Sequence, residues 1–100
     1  MADAAKPTPQ HEDERMRVTR WDFEPGTTTG HHVHEYAYVV VPVTDGLLEV
    51  HGPDGTVTPF ELRAGESYAR PAGVEHEIVN AAGHVVSFVE IELKENHSDK

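Results

Sequence analysis

Two stretches decide how this chain reads: GESYARPAGVEHEIVN at residues 65–80 and HHVHEYAYVVVPV at residues 31–43. In the first, Gly65 and Gly73 allow turns, Pro71 stiffens the approach, and His76 enters a short strand that runs to Asn80. In the second, His32 and His34 stand two residues apart, so an extended chain sends both imidazoles to one face. Farther along, Tyr36, Tyr38 and Val40 fall on one side and Ala37, Val39 and Val41 on the other. A strand apolar on both faces is covered twice, by a barrel interior on one side and by a second sheet or a partner subunit on the other.

Outward from these stretches, short runs rich in Val, Tyr, Phe and Trp alternate with Gly, Pro and Asp, the punctuation of an all-β domain, and no window holds a helical period. The expected strands are 18–23, 31–43, 47–51, 57–62, 67–69, 76–80 and 85–93. Asp45-Gly46 and Asp54-Gly55 read as tight turns in which glycine takes positive φ. Pro42 and Pro59 each remove a ladder donor and belong at edges, bulges or strand ends, which favours a barrel with irregular rims. In the last strand Val85, Ser87, Val89, Ile91 and Leu93 share one face, read as core, while Phe88, Glu90 and Glu92 share the other. Residues 1–15 are expected to be a flexible polar tail, 16–94 the folded domain and 95–100 a C-terminal tail.

A length of 100 residues leaves room for one domain with a thin burial margin, so a homo-oligomer, a homodimer in the simplest case, or a bound metal is expected as extra support. The formal charge of −10, from 18 acidic against 8 basic residues, argues against nucleic acid and anionic membranes. There is no apolar run long enough to span a bilayer, and the polar start lacks the apolar stretch of a secretory signal; a cytoplasmic protein is expected. With no cysteine, disulfides, thiolate metal sites and cysteine nucleophiles are excluded, leaving nitrogen and oxygen ligands. Eight histidines make imidazole the chemistry to follow. His-x-His on a strand supplies two ligands to a divalent first-row ion, and a third must come from elsewhere.

Gly26, five residues, His32-Val33-His34 and Gly46, together with Gly65, five residues, Pro71-Ala72-Gly73, two residues, His76, three residues and Asn80, resemble the paired motifs of the cupin superfamily. More narrowly, residues 34–42 and 67–76 resemble small single-domain cupins linked to beta-alanine degradation. The resemblance implies a jelly-roll β-barrel with no substantial helix and His32, His34 and His76 as ligands of one divalent transition metal per chain: iron, nickel, zinc, manganese or copper. The first cupin motif usually carries a glutamate four or five residues after its second histidine; here those positions hold Tyr38 and Val39, and Gly46 makes Val39 the expected counterpart. Three neutral imidazoles without a protein carboxylate leave the ion's charge uncompensated, which would favour a small anionic metabolite in the open positions, by analogy with three-histidine dioxygenases.

Four further residues are candidate substrate contacts. Tyr36 and Tyr38 share the parity of His32 and His34, while Tyr68 and Arg70 precede the Pro71 turn, where Arg70 could pair with a substrate carboxylate. Asn80 is expected to bond the backbone of its turn. Glu90 and Glu92 read as a solvated face; one would replace the missing carboxylate only if the last strand lined the barrel. No general acid or base is legible. The functional classes left open are a metal-dependent dioxygenase or isomerase, a non-enzymatic binding or sensing module, and a scaffold whose metal site is vestigial.

Overall fold

A computed structural model of the chain describes residues 3–94. Within them run nine strands: β1 (Lys6–Glu12), β2 (Met16–Phe23), β3 (His32–Val33), β4 (Ala37–Pro42), β5 (Gly46–His51), β6 (Val57–Leu62), β7 (Tyr68–Arg70), β8 (Glu75–Asn80) and β9 (Val86–Leu93). They form a five-stranded sheet ordered β1-β2-β9-β4-β7 and a four-stranded sheet ordered β3-β8-β5-β6. All named pairings are antiparallel, and there is no helix among the described residues. The expected all-β architecture is what the chain adopts. The two inner faces meet over Phe23, Val40, Leu48, Leu62, Val86 and Phe88, all buried.

One strand was expected over residues 31–43, and the chain instead breaks it in two. His34 stays with the four-stranded sheet, its N–H donating to the Val74 carbonyl at 2.8 Å and its carbonyl accepting from Gly73 N–H at 2.8 Å. By Ala37 the chain has crossed to the other sheet and pairs with Leu93. Parity is therefore not conserved through residues 34–37, which decides where Tyr36 goes.

The N-terminal segment departs from expectation too. Residues 6–12, assigned above to a flexible tail, form β1 along the edge of the five-stranded sheet, with Lys6 opposite Asp22 and Glu12 opposite Arg17. An edge strand is held by backbone pairing and leaves its side chains mostly in water, so a polar, proline-containing segment qualifies without apolar alternation. Ala5, just before it, is buried, and its N–H donates to the Thr28 carbonyl at 2.8 Å. The expected C-terminal tail at 95–100 lies outside the described residues.

The face assignment of the last strand is reversed. Val86, Phe88, Glu90 and Glu92 are buried, whereas Val85 and Leu93 are more than 40% exposed. The apolar parity of β9 lies on the outside of the five-stranded sheet, where Val18, Ile91 and Val39 sit side by side in register. Gly46 also differs from its expected role: Gly26, Gly30, Gly55, Gly65 and Gly73 have positive φ, but Gly46 does not. It opens β5 where a Cβ would lie 2.5 Å from a methyl of Val86, so contact with the inner face requires glycine there. Asn80 is buried as expected of a turn anchor, its amide donating to the carbonyls of Phe23 and His84 at 2.9 and 3.0 Å while its Oδ1 accepts from Ala82 N–H at 2.8 Å.

Candidate metal centre

Antiparallel pairing of β3 with β8 puts His32 directly opposite His76. The backbone bonds of His34 to Val74 and Gly73 bring the third ring to the same place. His34 Nε2 lies 3.1 Å from His32 Nε2 and 3.1 Å from His76 Nε2. One ligand atom from each of the three residues falls within 4.8 Å of the others. The rings meet edge to face, at interplanar angles of 77°, 74° and 89°, so their Nε2 atoms converge while the ring faces stay apart.

The protonation pattern fits a cation at the point of convergence. His32 Nδ1 donates to the Gly30 carbonyl at 2.9 Å, which in the neutral ring leaves Nε2 with a bare lone pair. Burial, then the neighbouring His32, holds His34 down at about 4, and burial followed by His32 and His34 does the same for His76. Both rings are neutral at pH 7. A single ring proton on His34 Nε2 cannot point linearly at both neighbours, whereas one cation satisfies all three nitrogens. Nitrogens about 2.1 Å from a common ion stand about 3.0 Å apart in octahedral and about 3.4 Å apart in tetrahedral geometry, which brackets the two 3.1 Å contacts of His34. The donor set fits a first-row divalent ion.

The rings sit in the wall of a cavity of about 400 Å³, whose apolar lining includes Trp21, Val40, Leu48, Ile78 and Phe88. Pro7 and Pro9 of β1 and Val33 of β3 are exposed cavity residues and mark its mouth. Its charged lining side chains are Arg17, Glu90 and Glu92. Arg17 Nε donates to Glu92 Oε1 at 2.5 Å, and this bond raises the guanidinium pKa further. Burial first, and then Glu92, pushes Glu90 up to about 7.

Of the four candidate substrate contacts, Tyr38 and Tyr68 are among the cavity-lining residues and Tyr36 and Arg70 are not. The sheet crossing turns Tyr36 out of line with Tyr38, and its ring lies 5.9 Å from the Arg17 guanidinium carbon. Arg70 spreads over the rings of Tyr68 and Phe60, at 4.6 and 5.6 Å from their centroids. Tyr38 is buried and stacks on His34 with centroids 3.9 Å apart, while burial pushes the Tyr68 hydroxyl up to about 12, so it remains a donor at neutral pH.

The model of the family described as Cupin domain matches residues 19–92. The chain belongs to the cupin family. Among curated proteins this cupin is 49% identical over 90 residues to Beta-alanine degradation protein BauB of Pseudomonas aeruginosa, covering 90% of this chain and 94% of that one. A crystal structure of a cupin domain from Bordetella pertussis superimposes with a TM-score of 0.91 at 45% identity, covering 95% of this chain and 98% of that one. A Klebsiella pneumoniae protein with a double-stranded β-helix domain matches at a TM-score of 0.75 and 24% identity, over 93% of this chain and 79% of that one, and supports the fold alone.

In this cupin β4 and β9 lie side by side in the wall that faces the histidines. The residue facing the histidines at the first motif's carboxylate position is Tyr38, not Val39, which lies on the outer face of β4. The carboxylates come instead from β9, with Glu90 opposite Val40 and Glu92 opposite Tyr38. Reading Glu90 and Glu92 as solvated missed them, along with their partners Trp21 and Arg17. Phe88 was the available signal, because the largest side chain of the strand shares their parity.

Proposed function

We propose that this cupin holds one first-row divalent ion on His32, His34 and His76 and acts on a small anionic metabolite in the adjoining cavity, by oxygenase or isomerase chemistry. The observation that carries this reading is the convergence of three Nε2 atoms, two of the contacts at 3.1 Å, in the wall of a cavity large enough for a metabolite. Such an ion, when bound, supplies Lewis acidity and, if redox-active, electrons. The chain's own groups do the rest: Gly30 fixes the His32 tautomer, the Tyr38 ring holds His34 in place, and the Tyr68 hydroxyl offers a hydrogen bond to substrate.

Charge supports an anionic substrate. Arg17 offsets Glu92, and Glu90 offsets half of a divalent charge, leaving the loaded cavity net positive in a chain whose formal charge is −10. The name of the Pseudomonas relative points the same way, toward the small carboxylates met when an amino acid is broken down.

Elemental analysis of the purified full chain should find about one divalent ion per chain, lost in His76→Ala. Metal content unaffected by that substitution would end the proposal. With the ion present, a panel of small carboxylates should contain one that is chemically altered. A ligand that stabilises the protein and is recovered unchanged would instead mark a binding module.

A further inference from the structure

The three imidazoles leave one buried group of the cavity without a role. Glu90, on β9 between Thr19 of β2 and Val40 of β4, is 9% exposed, and its two oxygens are differently engaged. Oε1 accepts a hydrogen bond from Trp21 Nε1 at 3.3 Å, and Oε2 points toward the histidines, 3.8 Å from His34 Nε2. Among the described residues no lysine or arginine pairs with Glu90, since Arg17 is taken by Glu92. A carboxyl among Trp21, Val40 and Phe88 is ionised at least cost beside a cation, and the point where the imidazoles converge lies next to its free oxygen.

We propose that Glu90 supplies, from the last strand, the carboxylate ligand to the ion held by His32, His34 and His76. The inference rests on the three-histidine reading and extends it. Ligand atoms on one ion at about 2.1 Å stand about 3.0 Å apart when adjacent in an octahedron and about 3.4 Å in a tetrahedron. The observed 3.8 Å separation between Oε2 and His34 Nε2 is within about 1 Å of either. Trp21, donating to Oε1, acts as the positioning residue that leaves Oε2 free as a single-oxygen donor, the arrangement in which ligating carboxylates are themselves hydrogen-bonded. Tyr38 is committed elsewhere: its ring lies flat on His34.

The test is Co(II) titration of the full-length chain, read by visible absorption and by competition with a chelator, for wild type, Glu90→Gln and His76→Ala. Glu90→Gln should still take one Co(II), bound at least about tenfold more weakly, with displaced d–d bands. A Glu90→Gln spectrum identical to wild type overturns the proposal whatever the affinity, because the carboxylate then acts only through its charge. The three-histidine reading fails by a different pattern, with wild type taking no Co(II) or His76→Ala binding it as well as wild type. Should Glu90→Gln not fold, wild type answers alone: Zn(II) should shift the infrared carboxylate stretches toward a one-oxygen ligand, and unchanged carboxylate bands would overturn the assignment.

Discussion

Replacing Gly46 by alanine sets two effects of opposite sign against each other. The backbone there avoids positive φ, so alanine is conformationally acceptable, and its lower freedom in the unfolded chain would stabilise the protein by about 0.4–1 kcal/mol. Against this, the new Cβ would stand 2.5 and 3.0 Å from the two methyls of Val86, well inside the roughly 3.5–4.0 Å separation at which carbon atoms attract. Val86 is fully buried, faces Phe23 across the β2–β9 ladder, and as a β-branched residue has little rotamer freedom with which to yield. Overpacking of this kind costs about 1–3 kcal/mol, so the steric effect wins. Val86→Ala alone removes two methyl-sized groups from the core and should cost roughly 2 kcal/mol. The double variant keeps only a Cβ–Cβ approach of 3.3 Å and fills part of the vacated space, so it should be no less stable than Val86→Ala alone. Urea unfolding followed by the fluorescence of Trp21, the one tryptophan, measures all four corners of the cycle. A Gly46→Ala variant as stable as wild type, or single effects additive within about 0.5 kcal/mol, would refute the account of why this position is glycine.

Two further outcomes follow from the outer sheet and from the carboxylates. The outer face of the five-stranded sheet sets Val18, Ile91 and Val39 side by side, a surface on which a second copy of an otherwise strongly acidic chain can pack; by light scattering wild type should run as a dimer and Ile91→Lys as a monomer, and wild type running as a monomer would refute this. Asp22 accepts from Ser87 Oγ at 2.6 Å, and that bond, more than the Arg20 contact, lowers its pKa. A carboxyl depressed in the folded state stabilises above its unfolded pKa of about 3.9 and loses that contribution as pH falls through the folded value. Ser87→Ala should therefore cost about 1 kcal/mol at pH 7 and less below about pH 4, read as a narrowing gap between urea midpoints; a gap that widens on acidification would contradict it.

What the sequence made legible, and what it hid, divides along a physical line. Turn chemistry is local, so Gly65, Pro71, Gly73 and Asn80 placed strands and corners correctly, and the histidines gathered where two-residue spacing and strand pairing bring them. Face assignment is not local. Alternation in β9 marks which parity is apolar but not which is inside; here the inside holds a polar centre and the outside is Val89, Ile91 and Leu93. The edge strand β1 was invisible for a related reason, because its stabilisation is backbone pairing that leaves no trace in side-chain hydropathy.

The same distinction explains why the first motif looked deprived of its carboxylate. A motif records neighbours along the chain, whereas an ion would meet neighbours across the sheet, and β4 and β9 are adjacent there. With Tyr38 on β4 stacking against His34, the position that would carry the carboxylate instead buttresses a ring. One strand over, Glu90 brings a negative charge to within 3.8 Å of that ring's nitrogen. On the ligation proposed above, the charge at the ion matches that of a site with three histidines and one glutamate, although the motif taken alone assigns three neutral donors. Substrate affinity at such a site should then follow the moderated charge, and Glu90→Gln is the variant that would restore the fully uncompensated centre the motif describes.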